Sequence, residues 1–347
     1  MVSFPLSLAL SFVCSFAIAY KVVPFIIERM KMRGICGRDM NKLQGLKVPE
    51  LGGIGVLLGF SGGILAAIFI FSYLNGILLN LTLLLAGFST VILVGFLGVI
   101  DDLIGWKNGI RQWQHALIPI FAALPLMAVK VSNPPIMIPL FGVAPAEYLL
   151  PVIGVVSFGI IYSLILVPIG VTGASNATNM LAGLNGLEAG LGAIIAATLL
   201  AISILEGRIE SAVIAAAMLG SLIAFLKFNW FPAKVFGGDS LTLMIGAGIA
   251  TIVILGNMEK IGVMIMALYF VELILKGRHK FQLEGFGIPT KEGLLRAPAK
   301  ISSLTQLVMK QGRFTEKQVV LAILSMQTVI SVLVFIVYYF KLFRFLV

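Results

Sequence analysis

Charge is the scarcest property of this 347-residue chain, with only 12% of its residues Asp, Glu, Lys or Arg. Soluble domains carry about a quarter charged residues, so a water-soluble globule is excluded. Cysteine is nearly absent: Cys14 lies in an apolar run and Cys36 in a basic loop. Two such residues exclude a disulfide framework and a thiolate metal site. His115 and His279 are the only histidines, which argues against a zinc centre. Neither a Walker pattern nor a dinucleotide glycine fingerprint occurs. No basic residue precedes the first apolar run, Val2 to Tyr20. A secretory signal has a positive n-region, so this run is expected to remain as a first membrane span. No internal repeat or low-complexity linker divides the chain, and a single membrane domain, 1–347, is expected.

What is present is hydrocarbon: 59% of the residues are hydrophobic. A helix needs about 20 apolar residues to cross a bilayer. Such runs lie near 2–20, 51–73, 78–100, 116–130, 148–169, 187–205, 211–227, 239–256, 260–275 and 319–340. The expectation is an all-α polytopic integral membrane protein with about ten transmembrane helices. Basic residues are unevenly placed: of 25 Lys and Arg, twenty fall in the loops that follow odd-numbered spans. The positive-inside rule turns those loops, 21–50, 101–115, 170–187, 228–238 and 276–318, to the cytoplasm and leaves both termini extracytoplasmic. Basic loops beside anionic lipid account for the net charge of +10 without a nucleic-acid partner.

Four polar clusters interrupt the apolar runs, all on that same side. Asp101-Asp102 closes the third run. Adjacent carboxylates suit Mg²⁺ handling or proton transfer, and equally a solvated helix terminus. The stretch Asn176 to Glu188 crowds Asn176, Asn179 and Asn185 among small and apolar residues. Amides near hydrocarbon want a cavity, a ligand or each other, although amide and small residues also glue membrane helices. Gly237-Gly238 ahead of Asp239 suits a tight turn that admits a ligand, with Asp239 as metal ligand or first-turn acid. Arg278-His279-Lys280 suits a sugar phosphate or diphosphate, or is ordinary basic decoration. Carboxylates, amides and cations together fit a hard, oxygen-liking ion such as Mg²⁺ and a phosphorylated substrate. Ile301, Leu304, Leu307 and Val308 recur at helical spacing and predict a short interfacial helix within 298–312.

The stretch Asn176-Ala-Thr-Asn179-Met-Leu-Ala-Gly-Leu-Asn185-Gly-Leu-Glu188-Ala-Gly closely resembles a signature of the polyprenyl-phosphate N-acetylhexosamine-1-phosphate transferases. It is most similar to their archaeal and eukaryotic UDP-GlcNAc:dolichyl-phosphate branch. Asp101-Asp102, Phe236-Gly237-Gly238-Asp239 and Arg278-His279-Lys280 resemble the family's other motifs, in the same order. Arg38-Asp39-Met40-Asn41-Lys42 and Val48-Pro49-Glu50 resemble its first cytoplasmic loop. The resemblance implies transfer of GlcNAc-1-phosphate from UDP-GlcNAc to a polyprenyl or dolichyl phosphate, releasing UMP, as in the first step of lipid-linked glycan assembly for N-glycosylation. It implies Mg²⁺, with Mn²⁺ as a substitute, held by Asn179 and Asp239. Asp101 and Asp102 would orient or deprotonate the lipid phosphate. Met40, Glu50, Asn185 and Phe236 would contact the uridine part, Asn176 would support the site, and Arg278, His279 and Lys280 would hold the GlcNAc-phosphate end.

The family's cation after the paired aspartates has three candidates here, Lys107, Arg111 and His115. Membrane lipids surround such an enzyme, a homodimer is compatible with it, and the membrane is that of the cell or the endoplasmic reticulum. The bacterial relative that uses UDP-MurNAc-pentapeptide has a histidine-rich motif in place of Arg278-His279-Lys280, which favours GlcNAc. The alternatives are the same chemistry on undecaprenyl phosphate for envelope glycans, and a secondary transporter, whose polar groups would sit near mid-bilayer with a repeat between halves.

The charge asymmetry makes a test. Single cysteines at Lys47, Lys107 and Arg296 should be shielded from impermeant thiol reagents in intact cells, and cysteines at Ser132 and Val347 should be labelled. Labelling of position 107 from outside would overturn the orientation.

Overall fold

In hydrocarbon every backbone N–H and C=O must be bonded within its own segment, so the apolar runs become helices. The computed structural model describes residues 3–75, 79–104, 117, 119–129, 137–138, 142–143, 147–150 and 154–341. Its helices are α1 (Phe4–Arg33), α2 (Gly53–Ile70), α3 (Leu81–Ile104), α4 (Leu124–Ala128), α5 (Phe158–Ile161), α6 (Val167–Met180) and α7 (Leu187–Leu205). They continue with α8 (Ile209–Asn229), α9 (Asp239–Gly256), α10 (Glu259–Ile265), α11 (Ala267–Gly277), α12 (Leu304–Lys310) and α13 (Glu316–Tyr339). Wider π turns extend α2 through Phe71–Asn75 and join α5 to α6 through Tyr162–Leu166. Among the described residues eight helices are long and apolar enough to cross a membrane, in a polytopic, mostly helical protein.

Several of the expected runs take a different form. The first extends to Arg33, with Pro24 inside it. Of 116–130, the described part is helical at 117 and 119–122 and, after a turn at Ala123, in the short α4. Over 148–169 the chain forms the hairpin Glu147–Leu150 with Gly154–Ser157, and the span instead covers Gly159–Met180. Hydropathy ends this span early because residues 172–179 are polar. Yet Ser175, Asn176 and Thr178 donate to the carbonyls of Val171, Thr172 and Ala174, one turn back. Their polarity is absorbed by the helix itself. The run over 260–275 breaks at Met266 into α10 and α11. The buried Gln327 of α13 donates to the carbonyl of Ile265 beside the break, at 3.0 Å.

The predicted interfacial helix is the seven-residue α12, which packs five of its residues against the protein and leaves Leu307 and Lys310 exposed. Leu304, Thr305, Gln306, Val308 and Met309 are buried. The carboxylate of Glu272, on α11, accepts from Leu304 N at 2.7 Å and Ser303 Oγ at 3.1 Å, which docks the helix inward. Two small sheets flank the site: β1 (Cys36–Arg38) pairs antiparallel with β2 (Lys47–Pro49). Ile288–Pro289, Leu294–Arg296 and Phe314–Thr315 form a three-stranded antiparallel sheet between α11 and α13.

Helix α9 is the axis of the molecule. Every residue from Ser240 to Gly256 is buried, against α3, α6, α7 and α8. Small residues allow this closeness, since lipid tails give no hydrophobic drive for helices to associate and packing must supply it. At Gly98 of α3, an added Cβ would lie 2.5 Å from Asp239 O and from Ser240 N. Gly98→Ala should therefore destabilise the fold by about 1–3 kcal/mol, seen as a lower thermal unfolding midpoint in detergent. Gly173→Ala, where nothing lies within 4 Å of the new methyl, should leave it unchanged or raised. Equal midpoints for the two variants would contradict the close approach.

Candidate active site

The first turn of α9 presents N–H groups that have no partner within the helix. They are met from α3. Asp102 lies in the last turn of α3, two residues before its end, and its Oδ1 accepts from Asp239 N at 2.8 Å while Oδ2 accepts from Ser240 N at 3.1 Å. A carboxylate at the positive end of a helix dipole is favourable, and here it bonds two helices across 137 and 138 residues of sequence. Gly238 sits at φ +73°, and any side chain there would collide with the Asp102 carboxylate. The Gly-Gly turn and the acid thus require each other, and together they set Asp239 at the start of the buried helix.

Asn179 reaches the same place from α6. Thr242, one turn along α9 from Asp239, donates from Oγ1 to Asn179 Oδ1 at 3.1 Å. Thr178 Oγ1 donates to Thr242 O at 2.7 Å, so the end of α6 is stitched to the start of α9. Asn176 lies a turn earlier on α6, its Nδ2 bonded to Thr172 O. The two asparagines expected in a loop therefore stand on a helix that runs to Met180.

A third segment closes on the turn from the N-terminal side. Phe236 N donates to Pro49 O at 2.8 Å, Gly52 N to Phe236 O at 2.9 Å and Gly53 N to Gly237 O at 3.0 Å. This ladder holds Glu50 and Phe236 beside Asp239. Burial, and then the Asp239 carboxylate, push Glu50 above the ordinary carboxylate range.

Other expected site residues take different positions. Asn185 is buried, its Nδ2 on Asp39 Oδ2 at 3.3 Å and its backbone N on Glu316 Oε1 at 2.8 Å. Met40 is exposed next to Asp39. Arg278 and Lys280 are exposed on the turn after α11, and His279 Nε2 bonds Ile301 O at 3.1 Å. Asp101 shares the last turn of α3 with Asp102. Lys107, Arg111 and His115 lie outside the described residues. Thr242 and Glu316 carry much of this geometry without standing out in the sequence, and Asp39 and Lys42 belong to the first-loop motif without a role assigned to either. The legible signals were Thr242 three residues after Asp239, on the same helical face, and the capping box of Thr315 with Gln318 that begins α13 at Glu316.

An apolar cavity of about 480 Å³ runs along α6 beside α9, α10 and α11. Asn176 and Met180 line one end, and Tyr162 with Glu259 the other, where the Tyr162 hydroxyl donates to the Glu259 carboxylate. The rise from Tyr162 to Asn176 is roughly 20 Å at 1.5 Å per residue, a large part of a hydrocarbon core of about 30 Å. The polar centre and the apolar groove meet at the C-terminal end of α6.

Comparison with known proteins identifies the family. A family model described as glycosyl transferase family 4 matches residues 84–257, which include both sides of the Asp102–Asp239 contact and all three asparagines. A Saccharolobus solfataricus protein, provisionally named UDP-N-acetylglucosamine–dolichyl-phosphate N-acetylglucosaminephosphotransferase, is 36% identical over 330 residues, covering 94% of this chain and 96% of that one. The Dictyostelium discoideum protein of that name is 26% identical over 361 residues, covering 90% and 84%. A phospho-N-acetylmuramoyl-pentapeptide-transferase of Halalkalibacterium halodurans is 32% identical over 276 residues, covering 78% and 80%. With half its length matched by the family model and a relative above 30% identity end to end, this integral membrane protein belongs to glycosyl transferase family 4.

Proposed function

We propose that the protein transfers GlcNAc-1-phosphate from UDP-GlcNAc to a polyprenyl phosphate of the dolichyl type, with Mg²⁺, at the cytoplasmic face of the membrane. The observation that carries this reading is the junction of an apolar, membrane-length groove with a centre of carboxylates and amides. A groove of that kind suits an isoprenoid tail, and the centre at its end suits the phosphate head. The names of the archaeal and Dictyostelium relatives supply the donor and acceptor. Basic loops on the side of Asp102 and Asp239 support the cytoplasmic assignment. A transporter would put its polar groups at mid-span, whereas Asp102, Asn179 and Asp239 all stand at helix ends.

In the reaction, an oxygen of the lipid phosphate attacks the β-phosphorus of UDP-GlcNAc. The bond from that phosphorus to the UMP oxygen breaks, UMP leaves, and lipid-diphosphate-GlcNAc remains in the membrane. A phosphate monoester is largely ionised near neutral pH, with a second pKa of about 6, so the nucleophile needs positioning more than deprotonation. Asp101 faces that task at the end of α3. Asp102 is committed to the α9 N-terminus, where it orients Asp239. Among the described residues no three His, Cys, Asp or Glu side chains cluster as a metal cage. Mg²⁺ does not need one, because it keeps waters and takes one or two protein oxygens plus substrate phosphate. Asp239 and the Asn179 carbonyl are hard oxygen donors, and Thr242, one helical turn along α9 from Asp239, bonds the Asn179 carbonyl; acid crowding around Glu50 favours a cation there. The residues fit the ion. When bound, it would neutralise charge on the diphosphate as UMP departs. Glu50 and Phe236 address the nucleoside, and Arg278, His279 and Lys280 the sugar-phosphate end.

Four outcomes are expected. Asp239→Asn should lower Mg²⁺-dependent UMP release by several orders of magnitude, since charge stabilisation by a metal is worth several kcal/mol. Normal turnover with an unchanged Mg²⁺ requirement would remove Asp239 as the ligand. Asp102→Asn sets an NH₂ against one of the two N–H donors and keeps an acceptor for the other, so it should weaken turnover and raise the Mg²⁺ concentration needed, together. An Asp102 acting on the nucleophile alone would leave that requirement where it was. Mass spectrometry should find lipid-linked GlcNAc from UDP-GlcNAc and none from UDP-MurNAc-pentapeptide, and Arg278→Ala should depress turnover even at saturating donor. Preferred formation of lipid-linked MurNAc-pentapeptide would sink the donor assignment.

A further inference from the structure

A broken helix forms one wall of the apolar cavity. Gly262, Val263 and Met266 line it up to the break, and Tyr269, Phe270 and Leu273 line it beyond. Before the break α10 packs on α9 and α13, and after it α11 packs on α6 and α12. The break is thus the point at which this wall leaves the central helix and crosses to the helix that carries Asn176 and Asn179. Local sequence does not cause it. Residues 263–269 read Val-Met-Ile-Met-Ala-Leu-Tyr, with neither Pro nor Gly among them. Sharp helix bends ordinarily come from such residues or from a side chain that enters the hydrogen-bond ladder.

Here a side chain enters. In a continuous helix Tyr269 N would donate to Ile265 O. It donates instead to Met266 O at 3.0 Å, which frees the Ile265 carbonyl. A carbonyl freed at membrane depth needs another donor. Gln327 Nε2, from α13, supplies it at 3.0 Å and also reaches Ser331 Oγ at 3.3 Å. Gln327 is fully buried, and its Oε1 has no hydrogen-bond partner among the described residues. Half an amide left unbonded in a low-dielectric interior is costly. For packing alone a methionine would fill the space without that cost. A methionine would not hold the Ile265 carbonyl.

We infer that Gln327 is a positioning residue for the lipid acceptor: by holding the Ile265 carbonyl it keeps α10 and α11 as two segments, and so shapes the groove wall that receives the isoprenoid tail. Gln327 does not itself line the cavity, and it acts through the break. Without the amide, Tyr269 N can return to Ile265 O, the two segments join into one straighter helix, and the wall loses its crossing to α6. The inference rests on the reading of the groove as the acceptor site and adds what holds that groove in shape.

The test uses the full-length protein in lipid discs, with dolichyl phosphate and UDP-GlcNAc varied independently and UMP release as the readout. Gln327→Met keeps the volume and removes the donor. The KM for dolichyl phosphate should rise about fivefold or more, the weight of one hydrogen bond, while the KM for UDP-GlcNAc, and kcat with both substrates saturating, stay as in the wild type. Gln327→His keeps an N–H donor of similar reach and should restore the acceptor KM. If Gln327→Met does not fold, Gln327→Asn, one methylene short of the Ile265 carbonyl, carries the same expected rise. An acceptor KM unchanged by loss of the donor overturns the inference. An equal rise in both KM values, or a His variant no better than the variant lacking the donor, overturns it too. A wild-type protein that releases no UMP with dolichyl phosphate refutes the acceptor reading instead, and the inference falls with it.

Discussion

One carboxylate holds the centre of this molecule together. Asp102 bonds the first two N–H groups of a helix whose following residues are all buried. A helix start in low-dielectric surroundings exposes unpaired donors and the positive end of a dipole, and both are met by one anion from a neighbouring helix. The contact is possible only because Gly98 lets the two backbones approach and Gly238 leaves room for the acid. Once α9 is pinned in this way, Thr242 fixes Asn179, and the Phe236–Gly237 backbone fixes the segment that bears Glu50.

Much of this was legible because polar residues are conspicuous against hydrocarbon. Asp101, Asp102, Asn176, Asn179 and Asp239 stand out in apolar runs, and the structure gathers Asp102, Asn179 and Asp239 at one junction. What stayed hidden depends on partners far away in sequence. Nothing near Ile265 announces a break there, since the buried Gln327 that bonds its carbonyl lies 62 residues on. Hydropathy places the fifth span too early because it counts Ser175, Asn176 and Thr178 as polar and cannot see their bonds within the helix. Lys42 and Glu316, ordinary basic-loop and helix-capping residues by sequence, are 274 residues apart and form one buried pair.

The two halves of the site answer to different solvents. Helix α6 presents Asn179 to a polar centre, and its earlier turns, Ile169 to Ala177, line an apolar groove. One helix thereby registers a hydrocarbon ligand against a charged one, at a separation set by helical rise rather than by loop conformation. Side chains on regular elements hold position better than those on loops. The asparagines gain precision from belonging to a helix that ends one residue beyond Asn179.

The Lys42–Glu316 pair also has a consequence for how the protein is made. Glu316 is the first residue of the last described helix, whereas Asp39, Lys42 and Asn185 are synthesised long before it. Until that helix emerges and inserts, the Asn185 backbone lacks its acceptor and Lys42 faces Asp39 alone. The nascent chain can settle α9 against α3 as soon as both are in the membrane, but the polar assembly beside it closes only once α13 has been made. A chain truncated before α13 would keep the acid centre and lack the clamp on the Asn185 loop, so the order in which the helices are made is itself built into this geometry.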